Sequence, residues 1–590
     1  MKRPTPLGRF LIWRVKHIND RYYISLLSII VGVSVGFAAV IIKNSVYLIQ
    51  EVLINELNAN FRNYLYFAYP AIGILITLIF IKYVNRKDVG HGIPSVLAAI
   101  SRHRGVIKAH NLYSSIVTSA FTVGFGGSVG LEGPTVATGG AIGSNIGRLL
   151  HLDYKQTILL LGCACAGAMS AIFKAPIAAI IFALEVIMLD LTMAAIVPLL
   201  IASTSAALTS YLLLGQDVLY TFNIQQTFII EDVPYFILLG FVAGAISIYF
   251  TKAYMFIMRQ FDRFRNWPQR LLIGGLLLGV LIFLFPSLYG EGYEHTNAAL
   301  QGQYGHLLNN IIFLDHNDNI YLIIGVMLVL VLLKVVAASI TFGAGGIGGV
   351  FAPTLFMGAI LGLCFAMLAN SLGLAVSQSN FALVGMAGMI AGVIHAPLTS
   401  IFLIAEITGG YALFLPLMIV STISFMTVRL VIPNSIYTYQ LASRGELITH
   451  DKDKAVLAMM RIDKLIERDF KTVNVNATLG DLVKLITKSK RNVFPVLDEE
   501  ENLRGIVHLN NIRHVMFNAG EYDKTYVKDL MHIPENAVEP DDSMEDVARQ
   551  IQESGHFNIP VVKNGKYIGF VSRANVFSSY RRILKYFSEE

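Results

Sequence analysis

Eight stretches of this chain are apolar over about twenty residues each, near 23–49, 64–84, 194–214, 231–252, 271–289, 320–340, 354–374 and 412–432. A stretch of that length spans the hydrocarbon core of a bilayer as a helix. The chain is therefore read as an α-helical polytopic membrane protein. Shorter apolar pieces lie near 112–126, 134–148, 156–172, 175–189, 378–394 and 396–407, interrupted by glycine and proline. They are read as broken helices rather than simple spans. Lipid offers no partner to a free backbone group, so a broken helix needs surrounding protein or a polar cavity. Broken helices of this kind mark transport proteins.

Charge divides the chain at residue 450. Residues 1–450 hold 43 charged side chains and residues 451–590 another 43. That is about 10% against about 31%, a membrane domain followed by a soluble one. The net charge of +6 splits into +7 and −1, which leaves no large basic face for nucleic acid. Three cysteines in 590 residues exclude a disulfide scaffold. Residues 1–22 carry Lys2, Arg3, Arg9, Arg14, Lys16 and Arg21 against Asp20. The apolar run after them exceeds a signal core and lacks a small-residue cleavage site. This basic flank reads as a cytoplasmic N-terminal segment; an amphipathic segment on the inner leaflet gives the same orientation.

The membrane part, 23–450, repeats itself. Gly124-Phe125-Gly126-Gly127-Ser128-Val129-Gly130-Leu131-Glu132-Gly133-Pro134 has a counterpart 219 positions later in Gly343-Ala344-Gly345-Gly346-Ile347-Gly348-Gly349-Val350-Phe351-Ala352-Pro353. Ala175-Pro176 is followed by Glu185 as Ala396-Pro397 is followed by Glu406, at an offset of 221. Two halves, about 23–215 and 230–440, share one plan. An odd number of crossings per half would invert the second.

The glycine turns carry the chemistry. Each places glycine before a helix and proline near its first turn, where the missing N–H is no loss. The free N–H groups and the positive end of the helix dipole form an anion site. Gly90-His91-Gly92-Ile93-Pro94 is a third such turn. One turn alone is as readily a packing device; three in a duplicated membrane domain point to an anion pathway.

These residues resemble the CLC family of chloride channels and proton-coupled chloride antiporters. The family motifs GSGIP, GxEGP and GxFxP appear as Gly90-His91-Gly92-Ile93-Pro94, Gly130-Leu131-Glu132-Gly133-Pro134 and Gly349-Val350-Phe351-Ala352-Pro353, with Tyr437 as the late tyrosine. The resemblance implies a homodimer with one pore per subunit, built from two inverted repeats of broken helices in the plasma (inner) membrane. It implies Glu132 as the gating carboxylate, and an anion site formed by His91, Gly92, Ile93, Val350, Phe351 and Tyr437. Tyr437 could instead merely pack. Glu185 and Glu406 lie inside apolar helices, where an acid is a functional candidate, yet their symmetric placement equally suits helix capping.

Two departures from the family pattern matter. The motif serine is His91, which offers one donor when neutral and a positive charge when protonated. Either His91 and Glu132 sense protons and acid opens the pathway, or His91 is a neutral donor. The intracellular relay position, a glutamate in the family's antiporters, is Val186. Valine carries no proton, and many family channels have it. The reading is a passive chloride-selective channel, with a proton-coupled antiporter as the alternative. Fluoride is disfavoured, because fluoride-exporting relatives alter the serine motif differently and lack the soluble tail.

The tail holds a second repeat. Phe494-Pro495-Val496-Leu497 followed by Gly505-Ile506-Val507 recurs as Ile559-Pro560-Val561-Val562 followed by Gly569-Phe570-Val571, with helices expected over 478–489 and 543–554. It resembles a cytoplasmic α/β pair of CBS domains, near 460–517 and 527–585. Such pairs often bind adenine nucleotides through Gly-x-x-Ser/Thr-x-x-Asp. Here Gly505…His508…Asn511 and Gly569…Ser572…Asn575 depart from it, which leaves nucleotide binding by Asn511, Ser572 and Asn575 doubtful beside a dimerising scaffold. No phosphate-cradling GxxxxGK[ST] run, zinc spacing or hydrolase pattern occurs. The chain is expected to be no enzyme, to need no cofactor or metal, and to have small anions, the lipid bilayer and a second copy as partners. A CBS-bearing cation transporter would need acids along the path, where these turns present N–H groups. A non-transport scaffold leaves the duplicated broken helices unexplained.

Overall fold

A computed structural model of the chain describes residues 6–53, 64–90, 92–101, 105–187, 193–215, 228–303, 305, 319–443, 457, 460, 462–555 and 557–588. The chain forms two compact units, Met1–Leu447 and Ile448–Glu590. His91 and the junction 444–456 lie outside the described residues.

The first half of the membrane unit runs through α1 (Pro6–His17), α2 (Asp20–Glu51), α3 (Tyr64–Ile79), α4 (Ile93–Ser101), α5 (Asn111–Gly124), α6 (Glu132–Leu149), α7 (Tyr154–Phe173), α8 (Pro176–Glu185) and α9 (Met193–Leu214). The second half runs through α10 (Val233–Asp262), α11 (Trp267–Leu284), α12 (Tyr293–Leu300), α13 (Ile320–Gly343), α14 (Phe351–Ser371), α15 (Gln378–Ile394), α16 (Pro397–Ile407), α17 (Phe414–Val431) and α18 (Ile436–Ser443). Among the described residues, nine helices are long and apolar enough to cross a membrane.

The repeat is visible in how helices stop. α7 ends at Lys174 and α15 at His395, both left-handed, with φ of 55° and 61°. The next residues are Ala175-Pro176 and Ala396-Pro397, and proline opens α8 and α16 at the first helical position. Three expectations are corrected: the runs 134–148 and 378–394 lie within continuous helices, Glu132–Leu149 and Gln378–Ile394, and the run 156–172 is not broken either. It forms the continuous helix α7, itself long enough to span. Small residues in these helices admit neighbouring backbone rather than ending the helix. A side chain at Gly143 of α6 would place its Cβ 2.7 Å from the carbonyl oxygen of Leu160 in α7, and one at Gly32 of α2 would lie 2.4 Å from that of Ala202 in α9. The run 271–289 in turn yields a helix only to Leu284, because the chain becomes extended at Phe285, ahead of Pro286.

The CBS unit holds two three-stranded sheets. β1 (Ile466–Glu467) pairs antiparallel with β6 (Lys566–Ser572), which pairs with β5 (Asn558–Lys563). β2 (Val473–Asn474) lies parallel to β3 (Val493–Leu497), which pairs antiparallel with β4 (Leu503–His508). Both hairpins slip register at the same repeat position, Val496/Leu497 and Val561/Val562.

Candidate functional site

Three glycine turns meet backbone to backbone. Gly130 and Gly349, equivalent in the two halves, exchange two hydrogen bonds, N–H of Gly130 to O of Gly349 at 2.8 Å and the reverse at 2.7 Å. A Cβ at Gly92 would lie 3.0 Å from Gly133 Cα, and one at Gly349 would lie 2.9 Å from Gly133 N. Gly92 also has φ of +58°, a region that favours glycine. Only residues without side chains let these three turns approach so closely. Their helices, α4, α6 and α14, therefore begin around one point, each with first-turn N–H groups that have no intrahelical acceptor.

A cavity of about 30 Å³ opens there, lined by Gly92, Ile93, Gly133, Gly349, Val350 and Tyr437 among others. That exceeds the roughly 10–15 Å³ one water needs. The Tyr437 hydroxyl is buried and has no hydrogen-bond partner among the described residues. A buried hydroxyl without a partner is costly unless a ligand or water meets it. Phe351 is fully buried, its ring 5.3 Å from that of Phe173, so only its backbone could serve an anion.

Glu132 opens α6 and is fully buried. Its Oε1 accepts the Tyr293 hydroxyl at 2.7 Å, while Oε2 has no partner among the described residues. The charged groups behind this carboxylate were not singled out from sequence. Glu291 Oε1 accepts the N–H of Leu131 at 3.0 Å. Lys334, fully buried in α13, donates to the carbonyls of Leu288 and Gly290. Lys43 of α2 donates to Ile172 O. Lys43 and Lys334 were legible as cations inside apolar spans; Glu291, in the turn before α12, and Tyr293, at the start of α12, carry no such signal.

Glu185 and Glu406 form a reciprocal pair. Glu185, at the end of α8, accepts the N–H groups of Leu398 and Thr399 and the Thr399 hydroxyl, at 3.1, 2.7 and 2.7 Å. Glu406, near the end of α16, accepts the N–H groups of Ile177 and Ala178 at 3.0 and 2.7 Å. Each carboxylate thus caps the free N-terminal turn of the equivalent helix in the other half. Two helices joined end to start at both ends run antiparallel, so the second half is inverted. Val186 follows Glu185, buried at the end of α8.

In the CBS unit, the Ser572 hydroxyl donates to Glu467 and accepts the Asn575 N–H. Asn575 Nδ2 donates to Leu465 O at 3.3 Å. Asn511 is exposed on a short helix after β4. Two of the three residues considered for a nucleotide are thus engaged within their own unit.

An inverted duplication whose glycine turns gather helix N-termini around a buried carboxylate defines a membrane anion transporter. The chain belongs to the voltage gated chloride channel family, whose model matches residues 72–429. The CBS domain model matches residues 462–518 and 527–582. The chain is similar to the H(+)/Cl(-) exchange transporter ClcA of Vibrio cholerae serotype O1, 28% identical over 437 residues, covering 71% of this chain and 89% of that protein. Its fold is similar to that of a slow cyanobacterial Cl-/H+ antiporter, with a TM-score of 0.61 and 22% identity, over 72% of this chain and 98% of the other. A eukaryotic CLC transporter matches with a TM-score of 0.61 and 17% identity, over 94% of this chain and 99% of the other.

Proposed function

We propose that this chain exchanges chloride for protons across the membrane, with Glu132 as the group that anion and proton share. The observation that carries this reading is the seat of Glu132, at the N-terminus of α6 next to Gly133 of the cavity wall, with Oε1 held by Tyr293 and Oε2 buried without a hydrogen-bond partner among the described residues. An ionised carboxylate there competes with chloride for the same N–H donors. Protonation removes the competition. Ile93, Val350 and Phe351 supply backbone donors and the Tyr437 hydroxyl completes the site, while Gly92, whose N–H donates to Gly90 O at 3.0 Å, lets the turn approach Gly133. The exchange activity named for the ClcA relative supports coupling over passive flow.

Val186 favours a second reading, a passive chloride channel with the same gate. In that reading the relay position is apolar, and His91 either admits anions on protonation or serves as a neutral donor. For both readings the unit of function is a homodimer in the inner membrane, with the basic N-terminus and the CBS pair cytoplasmic. The CBS pair acts as a scaffold rather than a nucleotide sensor, a reading supported by the internal hydrogen bonds of Ser572 and Asn575. No cofactor is needed for transport.

The test is the reversal potential of the purified protein in planar bilayers, under a chloride gradient with and without a pH gradient. Exchange requires the reversal potential to move with the pH gradient. A reversal fixed at the chloride equilibrium potential rejects exchange in favour of the channel.

A further inference from the structure

The segment Gly290–Tyr293 joins the turn Pro286–Leu288 to α12 and is fastened to the glycine turn that leads into α6 and to Glu132 at its start. The Gly290 N–H donates to Gly126 O at 3.2 Å. Glu291 accepts from Leu131 N–H, and the Tyr293 hydroxyl donates to Glu132. From behind, Lys334 Nζ donates to Leu288 O at 3.3 Å and Gly290 O at 2.9 Å. The turns are made by Gly290 and Gly292, with φ of 58° and 83°. Gly292 also sits so close to Phe356 that a Cβ would lie 2.7 Å from the ring. The strap is therefore held on three sides, and the Tyr293 hydroxyl donates to the Glu132 carboxylate.

We infer that this strap is a latch on Glu132, with Tyr293 as the positioning residue that keeps the ionised carboxylate seated at the start of α6. The inference rests on the reading of Glu132 as the proton-accepting gate. A hydrogen bond to an ionised carboxylate is roughly twice as strong as one to a neutral group. The latch therefore favours the seated, ionised state over the protonated, released one, and makes opening demand more acid. Other groups also act on this carboxylate: Lys43 of α2, Glu291 of the strap and Tyr437 of α18 directly. Lys334 acts on Glu291, and Lys174 on Lys43. Replacing Tyr293 by phenylalanine leaves all of them in place, so a change in pH response belongs to the hydroxyl.

The experiment is chloride flux against pH for the full-length protein in liposomes, comparing wild type, Y293F, Glu132→Ala and the double variant. Y293F is expected to reach half-activation at about one-tenth of the proton concentration, a shift of about one pH unit to the alkaline side. Glu132→Ala should abolish the pH response, and the double variant should match it. Gly292→Ala, which displaces the strap without changing charge, should shift the midpoint in the same direction as Y293F. An unchanged midpoint in Y293F, with the response still abolished in Glu132→Ala, overturns the latch and leaves the gate standing. A wild-type pH profile in Glu132→Ala overturns the gate itself.

Discussion

The two turns that meet at Gly130 and Gly349 follow one backbone plan and differ at six of eleven positions, of which 132 and 351 differ most in chemistry. Position 132 is a glutamate whose carboxylate accepts the Tyr293 hydroxyl, and its repeat equivalent at 351 is a phenylalanine packed on Phe173. The neighbouring pair behaves otherwise. Glu185 and Glu406 are the same residue in both halves and do the same thing, each capping the other half's helix. Where the halves kept a residue, it serves the architecture that both need. Where they diverged, one copy became free to carry chemistry while the other filled space.

The largest expected effects test that division at positions 132 and 351. Glu132→Ala should remove the pH dependence of chloride flux altogether and leave the protein folded, because it deletes a buried acid. Phe351→Ala should do the reverse. It empties a fully buried aromatic site, at a cost of about 3–5 kcal/mol, seen as earlier thermal unfolding in detergent, while the surviving protein keeps the wild-type pH midpoint. If Phe351→Ala moves that midpoint, the phenylalanine is part of the gate and the halves are less divided in role than proposed.

The conserved pair should answer symmetrically. Glu406→Ala leaves the N–H groups of Ile177 and Ala178 unmet at a helix start and should cost about 2–3 kcal/mol. Glu185→Ala also strands the Thr399 hydroxyl and should cost slightly more. Thermal unfolding measures both. A change in the reversal potential from Glu185→Ala alone would break the symmetry and make Glu185 a proton carrier.

Much of this was legible because the duplication is written in glycine and proline, whose backbone demands survive divergence of their neighbours. The offsets of 219 and 221 identify the two turns and the two capping acids. Inversion was expected from the family resemblance rather than from spacing, and the crossed hydrogen bonds of Glu185 and Glu406 agree with it. The strap was hidden for a different reason. Glu291, before α12, and Tyr293, its first residue, lie about 160 residues from the helix they serve, and no local pattern records such a contact. Continuity of α7 was misread because glycine in a membrane helix is as much a packing surface as a break. In the tail the paired hairpins were legible from their repeat, whereas β1 joining the sheet of the second module is a long-range pairing with no local signal.

The smallest expected effect sharpens the comparison most. Val186 and Ile407 are equivalent by the offset of 221, and both are buried directly after a capping glutamate. Val186→Ile makes the first half match the second by adding one methylene, which should cost about 1 kcal/mol and leave the reversal potential unchanged. That outcome would class position 186 with the architecture, a packed site through which no proton passes. A reversal potential that moves toward the chloride equilibrium value in Val186→Ile would mean that the smaller side chain leaves room for a proton-carrying water beside it. The difference between valine and isoleucine would then belong with that between Glu132 and Phe351, as a divergence that serves transport.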